Sequence, residues 1–113
     1  MSDCLFCRIV AGDVPATVVR ESPRTLAFRD IAPQAPTHVL VVPKEHYDDL
    51  AALTAADLDL AAELVRDAHR VAVAEGIASS GYRVVVNTGP DAGQTVPHVH
   101  LHVLGGRALG RLG

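Results

Sequence analysis

Near its C-terminal end the chain reads His98-Val99-His100-Leu101-His102-Val103, a strict alternation of imidazole and aliphatic side chains. A period of two is the period of a β-strand, in which successive side chains point to opposite faces. Val99, Leu101 and Val103 then face a core, and three of the six histidines share the other face. Imidazole nitrogens need hydrogen-bond or metal partners when they are covered. Three of them in a row on one face is therefore an expensive choice for structure alone. Sharing a single metal ion is also disfavoured. Alternate positions on one strand face lie ~6.6–7 Å apart, so His98 and His102 would be ~13 Å apart, against ligand bonds of ~2 Å. The row reads as one of divided labour, with one histidine structural and the others engaged in chemistry.

The rest of the chain supplies a setting for that strand. With no Trp, two Tyr and two Phe, its core must be built from Val, Leu, Ile and Ala. Hydrophobic residues make up 49% of 113, which argues for one globular domain over 1–113 and against disorder. A net charge of −3 excludes a polybasic surface for nucleic acid or anionic lipid, so any phosphate must be held locally. No apolar run approaches the ~20 residues of a membrane helix, and Met1-Ser2-Asp3-Cys4 lacks the basic, then apolar, pattern of a signal peptide. A cytoplasmic protein with no membrane partner is expected. Cys4 and Cys7 stand as C-x-x-C with no strand before them, which fits half of a zinc site better than a redox pair.

Cys4 to Ala11 reads as a short helix closed by Gly12. Strands are expected at Thr17–Val19, Thr25–Phe28, His38–Val42, Tyr82–Asn87 and His98–Leu104. Asp30–Pro36, with two prolines, is a loop, and Thr88–Gly93 is a turn. Thr54 is expected to cap a long helix running to about Glu75, with Asp57 completing a capping-box pattern. On that helix Leu58, Ala61, Ala62, Val65, His69 and Ala72 form one stripe, and Leu60, Leu64, Ala68 and Val71 a second. The two together are wider than one core contact needs. Either the helix is sunk deeply in its own domain or the extra stripe meets another subunit. For His69, packing or an interface is the default. The element order argues for an α+β fold with a mostly antiparallel sheet.

The segment Gly93-Gln94-Thr95-Val96-Pro97-His98-Val99-His100-Leu101-His102-Val103 resembles the signature of the histidine triad superfamily. The N-terminal Cys-Leu-Phe-Cys-Arg-Ile-Val, the loop Arg29–His38 and Val41–His46 are similar to its nucleotide-binding branch. The resemblance runs through nearly the whole chain, in order. It implies a five-stranded, mostly antiparallel sheet with one long helix and a short N-terminal helix, usually as a homodimer.

By the same resemblance, His100 is the nucleophile of an enzyme that cleaves purine nucleoside phosphoramidates or related nucleotidyl compounds through a nucleotidyl-histidine. His102 contacts the phosphate or leaving group, and His38 supports His100. Asn87, Gly93 and Thr95 line the phosphate, Asp30 accepts from the ribose, and Phe28 and Ile31 wall the base of an AMP or GMP moiety. Cys4, Cys7, His46 and His98 match the ligands of a closed, structural zinc site; no organic cofactor is implied. A binding module that senses the nucleotide, a dinucleoside polyphosphate hydrolase and a nucleotidyltransferase are the alternatives. The chain departs from many relatives in its tail, Arg107 to Gly113, which has no aromatic residue. Arg107 and Arg111 are open to two readings, contact with an acidic leaving group or plain solvation.

Overall fold

The most heavily β-branched stretch of the chain forms the middle of its sheet. In the computed structural model, which describes residues 3–112, β3 runs from Thr37 to Pro43 and is buried along its whole length. Met1, Ser2 and Gly113 lie outside the described residues. Val18–Glu21 (β1) and Thr25–Arg29 (β2) form the hairpin expected before it. Tyr82–Val85 (β4) and Leu101–Gly105 (β5) complete five strands in the order β1-β2-β3-β5-β4, every pair antiparallel.

The alternation along these strands separates two cores. Ala27, Val39, Val41, Val99, Leu101 and Val103 pack on one face against Leu53, Leu60, Leu64, Ala68 and Val71. On the other face Leu26, Phe28, Leu40 and Val42 pack with Phe6. Phe6 belongs to α1, Leu5–Val10. At six residues this helix is too short to hold its own shape in water. It is held by Cys4, whose Sγ caps it by accepting the Cys7 N–H, and by what Phe6 and the two thiols meet on the sheet.

The long helix differs from expectation at its start. Thr54 lies inside a separate helix, α2 (Leu50–Ala56), and its hydroxyl turns back to the Leu50 carbonyl. Asp57 ends α2 and caps α3 (Leu58–Ala74) by accepting the Leu60 N–H at 3.0 Å. Asp57 thus takes, three residues later, the role expected of Thr54, while Asp49 caps α2 through the Ala52 N–H. A carboxylate accepts more strongly than a hydroxyl at a helix N-terminus and also meets its dipole.

The two stripes of α3 part company. Leu60, Leu64, Ala68 and Val71 have no exposed surface, and neither has Ala72 of the first stripe; Leu58 and Val65 of that stripe, and Val73 outside both, are more than half exposed, with Val84 of edge strand β4 also exposed. The helix is thus not sunk in its own domain. His69 lies in the exposed stripe and bonds the Tyr82 hydroxyl. One charged residue does lie on the core side. Asp67, 1% exposed, accepts from the Thr25 hydroxyl at 2.5 Å and from Arg70 at 3.3 Å. Arg20 Nε stands 3.5 Å away as an ion pair without a hydrogen bond.

Candidate functional site

The histidine row meets the sheet later than the alternation suggests. β5 begins at Leu101, so His98 and His100 lie on the bent approach to it, where Val99 N–H is taken by the Tyr47 carbonyl. The bend does not undo the shared face. Phe6 of α1 meets both His98 and His100 edge-on, with centroids 5.9 and 5.0 Å away, and His100 and His102 are 5.0 Å apart. The division of labour is visible in the partners of each ring.

His100 Nδ1 lies 2.8 Å from the carbonyl of His98. A carbonyl only accepts, so Nδ1 carries the proton and Nε2 keeps its lone pair. His38 is fixed the other way. The Gln34 N–H donates to its Nδ1 at 3.0 Å, so the proton sits on Nε2, 2.9 Å from His102 Nδ1. His102 must then accept at Nδ1 and carry its own proton on Nε2. The sheet register prepares this contact. Leu40 pairs with His102 and His38 with Leu104, so His38 and His102 are diagonal neighbours on one face. Burial lowers the pKa of His38, against the opposing pull of Asp30. Burial first, then the neighbouring His100 and His38, pushes His102 down to about 4. Both are neutral at pH 7, as this chain of donors requires.

These rings border a cleft of about 500 Å³, within the usual range for a small-molecule site. Phe28, Asp30, Ile31, Thr95, His100 and His102 line it, as do Phe6, Ile9 and Leu40. Asp30 is held by the Ala32 N–H on Oδ1, while Oδ2 lies 3.4 Å from His38 Nε2. Ile31 is fully exposed at the rim, and Phe28 is buried in edge contact with Phe6. His38 sits behind His102. Asn87 and Gly93 are not among the lining residues: β4 stops at Val85, two residues before Asn87, and Gly93 ends a 3₁₀ turn with φ at 87°. The contribution of α1 was missed. The signal lay in Phe6 and Ile9, one helical turn apart and flanking the Cys7 that faces the sheet.

Beside the cleft, Cys4 Sγ, Cys7 Sγ, His46 Nδ1 and His98 Nδ1 all fall within 4.8 Å of one another. Cys4 and His98 are 3.3 Å apart, Cys7 and His46 3.3 Å, Cys7 and His98 3.5 Å. Tetrahedral bonds of 2.0–2.3 Å place neighbouring ligand atoms about 3.3–3.8 Å apart. The far nitrogens are also committed. His98 Nε2 donates to the Pro43 carbonyl at 2.9 Å and His46 Nε2 to Asp48 at 2.8 Å. Both Nδ1 lone pairs are thereby turned toward the thiols, the outer arrangement that metal-binding histidines use. The donor set fits a tetrahedral, thiophilic ion. Asp30, His38 and His102 also cluster, but there the two rings aim at each other through a hydrogen bond, which leaves no shared point for an ion.

An antiparallel α+β sheet bearing a histidine row beneath a short helix, with one imidazole nitrogen bared to a cleft, defines a protein of the histidine-triad class. The HIT domain family matches residues 11–109. A crystal structure of a HIT family hydrolase from Legionella pneumophila superposes with a TM-score of 0.92 at 48% identity, covering 96% of each chain. The "14 kDa zinc-binding protein" of Zea mays is 45% identical over 96% of this chain and 85% of its own. "Adenylylsulfatase HINT1" of Arabidopsis thaliana is 42% identical over 96% and 74%. The chain belongs to the HIT family.

Proposed function

We propose that the protein is a purine nucleotidyl hydrolase that cleaves nucleoside 5′-phosphoramidates or kindred nucleotidyl compounds, with His100 as nucleophile. The observation that carries this reading is the bond from His100 Nδ1 to the His98 carbonyl. It aims an unprotonated Nε2 at a cleft whose other polar lining residues are Thr17, Arg29, Asp30, Thr95 and His102. Nε2 attacks the α-phosphorus and the bond to the leaving group breaks. The leaving nitrogen, protonated from solvent before the bond breaks, departs as a neutral amine and accepts a hydrogen bond from His102 Nε2–H. Water then attacks the nucleotidyl-imidazole, its surplus proton returns to solvent, and the nucleoside monophosphate is released, restoring His100. His38 holds His102 in the donor tautomer. Phe28 and Ile31, with Phe6 and Ile9, enclose the base, and Asp30 accepts from the ribose. Thr95 donates to the phosphate. Asn87 and Gly93 are assigned to the same phosphate on the strength of the family resemblance.

The names of the relatives agree in kind, one being a hydrolase and one an adenylylsulfatase. Zinc held by Cys4, Cys7, His46 and His98 would fasten α1 to the sheet and take no part in the bond changes. Thiolate ligands of this sort persist in a reducing compartment, consistent with a cytoplasmic protein. The exposed stripe of Leu58, Val65 and Val73 with Val84 on the sheet edge suits a two-fold partner of the same sequence.

The test is AMP release from adenosine 5′-phosphoramidate by the wild type and His100→Ala. Rapid release that falls by orders of magnitude in the variant supports the reading. Equal, slow release by two proteins that both bind AMP would replace it with a nucleotide-sensing module.

A further inference from the structure

The chain of donors that prepares His102 does not begin at His38. It begins at the Gln34 backbone, in a loop with no regular structure of its own. If that loop shifted, the Gln34 N–H would leave His38 Nδ1. The described contact that would still favour a proton on His38 Nε2 is then Asp30 Oδ2, 3.4 Å away and too far for a strong hydrogen bond. What holds the loop lies just past the end of β5. The Arg107 guanidinium donates to the Gln34 carbonyl at 2.9 Å and to the Ala108 carbonyl at 2.9 Å. Next to it Gly106, with φ at 93°, lies so close to Pro36 that a β-carbon there would stand 2.9 Å from the proline ring. Gly105 pairs with Thr37 on the adjoining strand. Residues 105–107 thus close over residues 34–37 by a backbone register, a side-chain contact and a charged hydrogen bond.

We infer that Arg107 is a positioning residue for the histidine pair, acting through the Gln34 loop to hold His38 in the tautomer that makes His102 a donor to the leaving group. The inference rests on the functional reading above. It also replaces both sequence readings of Arg107, since a guanidinium occupied by two backbone carbonyls is neither simply solvated nor aimed at a leaving group. Asp30, by contrast, is tied independently at the loop's base through its N–H to the His38 carbonyl, so ribose binding should survive loosening of the loop's far end.

The experiment compares wild type, Arg107→Met and Arg107→Lys, each checked for folding by circular dichroism. Two readouts are taken. One is the ¹⁵N spectrum of the imidazole rings. The other is kcat and KM for adenosine phosphoramidates with a neutral and with a carboxylate-bearing leaving group. In wild type, His38 should show an unprotonated Nδ1 and a protonated Nε2. In Arg107→Met these signals should move toward averaged tautomers. kcat should then drop about fivefold, the size of one exposed, charge-assisted hydrogen bond, for both leaving groups and with KM unchanged. Arg107→Lys should recover part of both effects. A His38 spectrum unchanged in Arg107→Met overturns the inference. So does a loss confined to KM or to the acidic leaving group, which would place Arg107 on the substrate instead. If the wild type releases no nucleotide, the functional reading fails, while the ring spectra still decide whether Arg107 sets the tautomer.

Discussion

Asp67→Asn is the substitution whose outcome tests the packing argument most directly. Among the described residues Asp67 is the one acidic side chain in the buried polar group, and it meets Thr25 at the start of β2. Its Oδ2 takes the Thr25 hydroxyl, and its Oδ1 faces Arg20 and Arg70. Asparagine keeps the shape and one carbonyl oxygen. If that oxygen stays on Thr25, an NH₂ group is turned toward two guanidinium groups and finds no acceptor. Breaking a fully buried pair costs about 3–5 kcal/mol. Here the arginines are 37% and 47% exposed and regain water, so the cost should be nearer 2 kcal/mol. For a chain of this length that corresponds to a fall of roughly 8 °C in Tm. Scanning calorimetry at pH 7 and matched metal content measures it. A Tm within a degree or so of wild type would mean that the carboxylate is not an integrated part of the core. A rise in Tm would mean that its desolvation outweighs its partners.

Four further outcomes follow from the geometry. Cys7→Ser should lose bound zinc on dialysis and expose Phe6, read as metal content by mass spectrometry and as faster amide exchange in α1; full retention of zinc would refute the ligand assignment. Leu64→Ala, at a fully buried site, should cost about 2–5 kcal/mol in urea unfolding, and a cost under 1 kcal/mol would contradict its place in the core. Val65→Asp should convert a dimer to a monomer in sedimentation velocity without lowering the monomer's helix content; a wild type that sediments as a monomer would remove the interface. The fourth concerns acid. His102, held to about 4 chiefly by burial, stays neutral in the fold after the unfolded chain has begun to take up a proton near 6.5. Its contribution to stability is complete above about pH 6.5 and is lost as pH falls toward 4. His102→Asn should flatten that part of a urea-midpoint profile; parallel profiles would sink the assignment.

What could be read from the sequence was whatever depends on local period. The strand alternation located both faces of the sheet, Gly12 marked the end of α1, and the long helix ends at Glu75 as expected. What escaped depended on partners distant in sequence. Asp57 is a better cap than Thr54 only because α2 ends against it, and β5 starts late because Tyr47 claims the Val99 N–H. Asp67 carries no local signal of burial, because its partner Thr25 lies 42 residues away in sequence. In the site, the resemblance named the histidines, but their proton positions follow from three backbone groups, at Gln34, Pro43 and His98, that no motif records. Cleft residues on α1 were hidden for the same reason, since a C-x-x-C advertises its metal and not the phenylalanine between the thiols.

Strand β3 is buried on both sides, and it therefore serves as a ruler with two scales. Val39 and Val41 measure against the helices, while His38, Leu40 and Val42 measure against α1 and the histidine row. Adding or deleting a single residue within β3 itself would exchange the two scales for the rest of the strand, sending an imidazole into the aliphatic layer or a valine toward the cleft. A length change there cannot be absorbed as a local loop adjustment. Insertions that this chain tolerates should thus fall elsewhere, and errors of register at the histidine row are proofread by the cost of misfolding the core.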